Sequence, residues 1–217
     1  MYFRSRAEAG EGIADQLMGY RYENCAVIAL GYGAVLVAEP IAARLHSVLG
    51  LFVTESVSIP GENLSIGTVN QGGGFLYNKS LSEGEVDDYY GEFHGYIEDQ
   101  KREKFARINR LLAGGGMLDA TALREHVVIL VSDGLKTGQP LDAAADFLKP
   151  IRIKRLIVAT PLASVQAVDR MHIVADEIHC LSVTDNYLDT KHYYDVNDIP
   201  TQEQAQEKVK NIVLAWR

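Results

Sequence analysis

The chain has 217 residues and 47% apolar content, enough for one ordinary core, and residues 1–217 are expected to form a single domain. A formal charge of −8 at pH 7 argues against a partner that is nucleic acid or an anionic membrane surface. No apolar run approaches the length of a membrane span, and MYFRSRAEAGEG lacks a signal peptide's apolar core, so a cytoplasmic protein is expected.

From the N-terminus, Phe3, Ala7, Ala9, Ile13, Ala14 and Leu17 fall at loosely helical spacing. A solvated amphipathic helix over one face of a sheet accounts for them and for Arg4, Ser5 and Arg6. Cys25–Leu30 is an unbroken apolar run, as expected for a strand buried on both faces. It breaks at Gly31-Tyr32-Gly33, and Val35 to Leu45 follows as a helix. Leu51–Val53 is a third short strand. Residues 56–81 carry Pro-Gly and Gly-Gly-Gly punctuation between β-prone runs, which predicts a hairpin. Residues 82–112 read as one long polar helix with Ser82 and Glu85 as a capping box. The acids at its start and bases at its end suit the helix dipole. Its aromatics Tyr89, Tyr90, Phe93 and Tyr96 recur at helical steps, the mark of core contact, or of a homodimer face if exposed. Gly114-Gly115-Gly116 is a joint.

Residues 127–148, VVILVSDGLKTGQPLDAAADFL, hold the most informative pattern. A buried strand (Val127 to Val131) ends at Ser132-Asp133. The turn Gly134-Leu135-Lys136-Thr137-Gly138 leads into a helix opening on Pro140. Strand, glycine-bounded turn and helix N-terminus together make an anion site, because backbone N–H groups and the positive helix end converge there. Later strands are expected at Leu156–Ala159 and Glu177–Leu181, with a helix between them and a last one from about Thr201 to Trp216. This alternation predicts an α/β fold, a doubly wound, mainly parallel sheet with helices on both faces. Asp142 reads as helix first-turn charge, and Asp176 and Glu177 as a solvated strand entry. Cys25 and Cys180 read as buried thiols, since neither has metal-ligand spacing. The six histidines also show no paired metal spacing.

The run around Ser132-Asp133 resembles the ribose-phosphate signature of type I phosphoribosyltransferases, and weaker similarities extend along nearly the whole chain. Arg4-Ser5-Arg6 before Ala9-Gly10 is similar to the opening of a stand-alone bacterial branch of that family. The resemblance implies that 56–81 and 182–200 form a small β-rich hood or flap, and that 82–116 is a helical insertion. It implies that Ser132, Asp133, Gly134, Leu135, Lys136, Thr137 and Gly138 hold the ribose and 5′-phosphate of phosphoribosyl pyrophosphate (PRPP), with Asp133 as the catalytic acid position. Gly31, Tyr32 and Gly33 take the diphosphate-loop position. Any Mg²⁺ would be carried by the ligand, with no metal site in the protein.

Four positions depart from the active pattern: Ser132 replaces an acid, Pro140 the closing hydroxyl residue, Tyr32 an arginine, and Glu55 a cation. Between Arg21 and Lys79 the only basic residue is Arg44. A diphosphate needs cations, Mg²⁺ or both. The reading is therefore a phosphoribosyltransferase-like protein that binds a small phosphorylated metabolite: ribose 5-phosphate, a nucleotide or PRPP. PRPP-dependent transfer is weakened or lost, and enzyme status is left open. The alternatives are an active transferase relying on Mg²⁺ and a non-catalytic structural or regulatory homologue.

Overall fold

A computed structural model of the chain describes residues 2–62, 64–112 and 120–216. The main sheet contains β1 (Cys25–Leu30), β2 (Val48–Phe52), β6 (Val127–Val131), β7 (Arg155–Ser164) and β8 (Glu177–Thr184), in the order β2-β1-β6-β7-β8. Every pairing in it is parallel. Alternate residues of the central strands leave on opposite faces. Val27, Ala29, Val127, Ile129, Val131, Ile157 and Ala159 join one apolar cluster, while Ala26, Ile28, Val128, Leu130 and Val158 join the other. Buried parallel strands read as continuous apolar runs for this reason.

The first cluster is covered by α1 (Arg6–Leu17), α2 (Tyr32–Leu45) and α6 (Gln202–Lys210); the second by α4 (Gln139–Leu148) and α5 (Val165–Val174). The strand order reverses between β1 and β6. In doubly wound sheets ligands bind beyond the carboxyl ends of the strands at such a switch point. The turns 31–33 and 132–138 follow β1 and β6 respectively, so both expected anion turns lie there.

The hood is larger than a hairpin: β3 (Thr54–Ser58), β4 (Ser65–Asn70) and β5 (Phe75–Tyr77) form an antiparallel sheet. Helix α3 (Glu83–Leu112) packs on it and departs from helical geometry at Phe93. The capping box is present, with the Ser82 amide 2.8 Å from Glu85 Oε2 and the Glu85 amide 3.3 Å from Ser82 Oγ. Tyr89, Tyr90 and Phe93 pack against the core as expected, while Tyr96 is exposed. Lys101 Nζ lies 4.3 Å above the Phe75 ring, tying α3 to the hood. The expected joint at 114–116 lies outside the described residues.

Several boundaries differ. Helix α2 starts at Tyr32 because Gly31, at φ 99°, turns the chain straight into it. The C-terminal helix stops at Lys210, and a 3₁₀ turn, Ile212–Ala215, follows. Asp176 and Glu177 have partners rather than solvent alone. Asp176 accepts from the Leu156 amide at 2.8 Å, and Glu177 engages Tyr20 and His179. Cys25 is buried, which pushes its thiol up to about 11; Cys180 is half-buried and also raised by burial. Among the described residues no helix is long and apolar enough to cross a membrane.

Candidate functional site

The turn after β6 is held by its own residues and by β7. Ser132 Oγ accepts from the Gly134 amide at 3.2 Å and donates to the Gly134 carbonyl at 3.1 Å. The Leu135 amide donates to Leu162 O at 2.9 Å, and Ser164 Oγ donates to Lys136 O at 2.8 Å. Ser132 and the first two turn amides are thus spent on the turn. Among the described residues, the amides of Lys136, Thr137 and Gly138 have no acceptor in the protein, and they run directly into the N-terminus of α4. Free amides running into a helix N-terminus are suited to an anion.

From outside, Asp142 fixes the same turn. It is buried, and its Oδ1 accepts from Arg170 (Nε at 2.6 Å, Nη2 closer) and from Lys79 Nζ at 3.1 Å. Asp142 does sit in the first turn of α4, but its main contact is this clamp. A cavity of about 220 Å³ opens here, bordered by Thr137, Gly138, Gln139, Lys79 and Arg170. The larger groove of about 700 Å³, bordered by Glu39, Asp198 and Lys208, touches no turn residue. The smaller cavity borders Thr137 and Gly138, and neither Lys136 nor Asp133 lines it.

Asp133 lies at the centre. Its Oδ2 accepts from Arg6 Nε at 2.7 Å, and Arg6 is fully buried rather than solvated. The Arg6 guanidinium lies 4.4 Å from the centre of the Tyr194 ring, and Tyr194 Oη donates to the Asp133 carbonyl at 2.6 Å. The segment ahead of α1 pairs with the tail, the Phe3 amide donating to Tyr193 O at 2.9 Å. Tyr187 closes over Gly134, where a Cβ would collide with its hydroxyl. Burial pushes the Tyr194 phenol far above its ordinary range, with the Asp133 charge adding to it. It raises Tyr187 to about 12, opposed by the Thr190 hydrogen bond. The tail thus contacts the turn through Tyr187 and Tyr194.

The turn after β1 is built differently. The Gly31 amide donates to Phe52 O at 3.1 Å, and a Cβ at Gly33 would collide with Asp133 Oδ2. Its backbone therefore packs on the acid of the other turn. Tyr32 is half-buried, its hydroxyl has no partner among the described residues, and burial and then Glu55 raise its pKa while Arg107 lowers it. Lys104 and Arg107 reach Glu55 from α3, at 3.8 Å and 3.4 Å. Counting bases between Arg21 and Lys79 misses these two cations, because they arrive from a later helix across the hood. Arg44 does point elsewhere, to Asp15 at 2.6 Å. Lys136 is exposed, and its Nζ donates to Leu188 O at 3.3 Å, so its charge stands at the rim of the turn. Pro140 occupies the first turn of α4.

Sheet order, the two switch-point turns and the hood define an α/β protein of the phosphoribosyltransferase type. The phosphoribosyl transferase domain model matches residues 4–196, and the chain belongs to that family. Two curated proteins of Mycobacterium tuberculosis, from strains H37Rv and CDC 1551, are provisionally named phosphoribosyl transferases. Each is 26% identical over 185 residues, which are 83% of this chain and 40% of the relative. The chain thus spans less than half the length of the curated relatives it matches. The crystal structure of TT1426 from Thermus thermophilus is similar at 28% identity and a TM-score of 0.74, over 100% of this chain and 99% of that one.

Proposed function

We propose that this domain binds a 5′-phosphorylated ribose, free or as part of a nucleotide, with its phosphate on the amides of Lys136, Thr137 and Gly138. The observation that carries the reading is those three unpaired amides at a helix N-terminus, just beyond Asp133 at the switch point. Asp133 Oδ1, which has no partner among the described residues, accepts from a ribose hydroxyl. Thr137 adds a hydroxyl and Lys136 a charge at the rim. Ser132 is committed to the turn and takes no part in ribose binding.

PRPP-dependent transfer is the second reading, favoured by Lys104 and Arg107 beside Glu55. These cations offset the carboxylate that would otherwise repel a diphosphate, although neither reaches out unpaired. Among the described residues no cluster of three metal-ligating side chains exists, and Asp133 Oδ2 is taken by Arg6. In this reading Mg²⁺ arrives with the ligand and screens its diphosphate. Weakened transfer follows from a diphosphate turn whose own residues, Gly31, Tyr32 and Gly33, include no cation.

Calorimetry with ribose 5-phosphate and PRPP, each with and without Mg²⁺, separates these readings. Similar affinities support monophosphate binding. PRPP binding about a hundredfold tighter, equivalent to about 2.7 kcal/mol, supports the transferase. Binding of neither leaves the structural or regulatory homologue.

A further inference from the structure

Arg6 is the most unusual side chain in the protein. It is fully buried and, among the described residues, donates one hydrogen bond, to Asp133, and leaves both buried terminal nitrogens without a hydrogen-bond partner. Asp198 Oδ1 lies 3.8 Å from Nη1, near enough to attract but not to bond. Buried donors left unpaired are costly, and a buried ion pair is commonly matched in stability by apolar side chains of similar size. Packing alone gives no reason for an arginine at this position.

Four separated segments meet on this group. Ser5 caps α1 by accepting from the Glu8 amide, which places Arg6 in the first turn. The tail covers the guanidinium with the Tyr194 ring. The β6 turn contributes Asp133. The β1 turn contributes Gly33, where a Cβ would fall 3.3 Å from Arg6 Nε and closer still to Asp133. The contact takes Oδ2 of the carboxylate and leaves Oδ1 without a partner among the described residues.

We infer that Arg6 is a positioning residue for sugar recognition, holding the Asp133 carboxylate so that Oδ1 meets the ribose hydroxyls of a ligand whose phosphate sits on residues 136–138. This rests on the proposed 5′-phosphate site and adds to it the origin of its sugar selectivity. Arg6 touches no ligand; it acts through Asp133. Its burial behind the ring of Tyr194 keeps it from competing for the phosphate.

The test is calorimetry with AMP, 2′,3′-dideoxy-AMP and inorganic phosphate on the wild type, Arg6→Met, Arg6→Lys, Asp133→Asn and the Arg6→Met/Asp133→Asn double variant. A well-oriented charged acceptor should make the wild type prefer AMP over the dideoxy nucleotide by about tenfold or more. Arg6→Met should reduce that preference to about twofold while leaving phosphate affinity within about twofold. Arg6→Lys should recover part of it. The double variant should discriminate no worse than Asp133→Asn alone, since the two residues act in series. Undiminished discrimination in Arg6→Met overturns the inference, as does a wild type that binds both nucleotides equally. A wild type that binds neither nucleotide nor phosphate sinks the underlying site. Should Arg6→Met fail to fold, Arg6→Lys and Asp133→Asn decide. Reduced discrimination in Arg6→Lys, together with loss in Asp133→Asn, supports the inference; undiminished discrimination in either variant overturns it.

Discussion

The turns after β1 and β6 stand side by side at the same sheet edge, and both join a buried strand to a helix. One carries the acid Asp133 and the rim cation Lys136; the other packs Gly33 on that acid and buries the Tyr32 hydroxyl. At 132–138, serine hydroxyls satisfy the flanks of the turn, and the amides of Lys136, Thr137 and Gly138 have no acceptor among the described residues. At 31–33, Gly33 is pressed on Asp133, and Tyr32 turns its hydroxyl into a buried position near Glu55. A strand-turn-helix unit is therefore only a potential anion site. What its side chains do with the amides decides whether a phosphate can enter.

The largest effect expected is at the outer clamp. Asp142→Ala leaves two cations against the turn and should cost about 2–3 kcal/mol, less than for a fully enclosed pair because Arg170 and Lys79 reach solvent. Denaturant titration measures it, and a negligible change would mean that the open turn needs no outside support. Gly33→Ala comes next: the methyl has no room beside Asp133, so about 1–3 kcal/mol of stability and most sugar discrimination should be lost. If calorimetry on the folded variant shows unchanged discrimination, the two turns are independent.

Lys136→Ala should weaken ribose 5-phosphate binding about three- to tenfold and make its salt dependence shallower, as expected for loss of a rim charge. Unchanged affinity assigns the phosphate to the amides alone. The smallest effect is a pH dependence. The Tyr187 phenol is raised to about 12 by burial, so the unfolded chain loses that proton first. Its contribution to stability is complete below pH about 10 and falls as pH rises toward about 12. Tyr187→Phe should flatten the loss of stability across that window in alkaline denaturation curves.

The strands and the β6 turn are legible in the sequence because their signals are local: β-branched runs, a terminal acid, glycines, and a proline opening the helix. Phosphoribosyltransferase membership is legible for the same reason. Arg6 is not. A cation in the first turn of a capped helix looks solvated, and only Asp133, 127 positions away, explains its burial. Lys104 and Arg107 are hidden likewise, because their relation to Glu55 depends on how α3 lies over the hood. The internal bonds of Ser132 are hidden too: its hydroxyl is engaged by the Gly134 amide and carbonyl of its own turn.

Amide chemical shifts read the difference between the two turns directly. Adding ribose 5-phosphate to isotopically labelled protein should shift the resonances of Lys136, Thr137 and Gly138 saturably and leave Gly31, Tyr32 and Gly33 nearly still. Shifts centred on residues 31–33, with residues 136–138 unmoved, would contradict phosphate binding at the β6 turn.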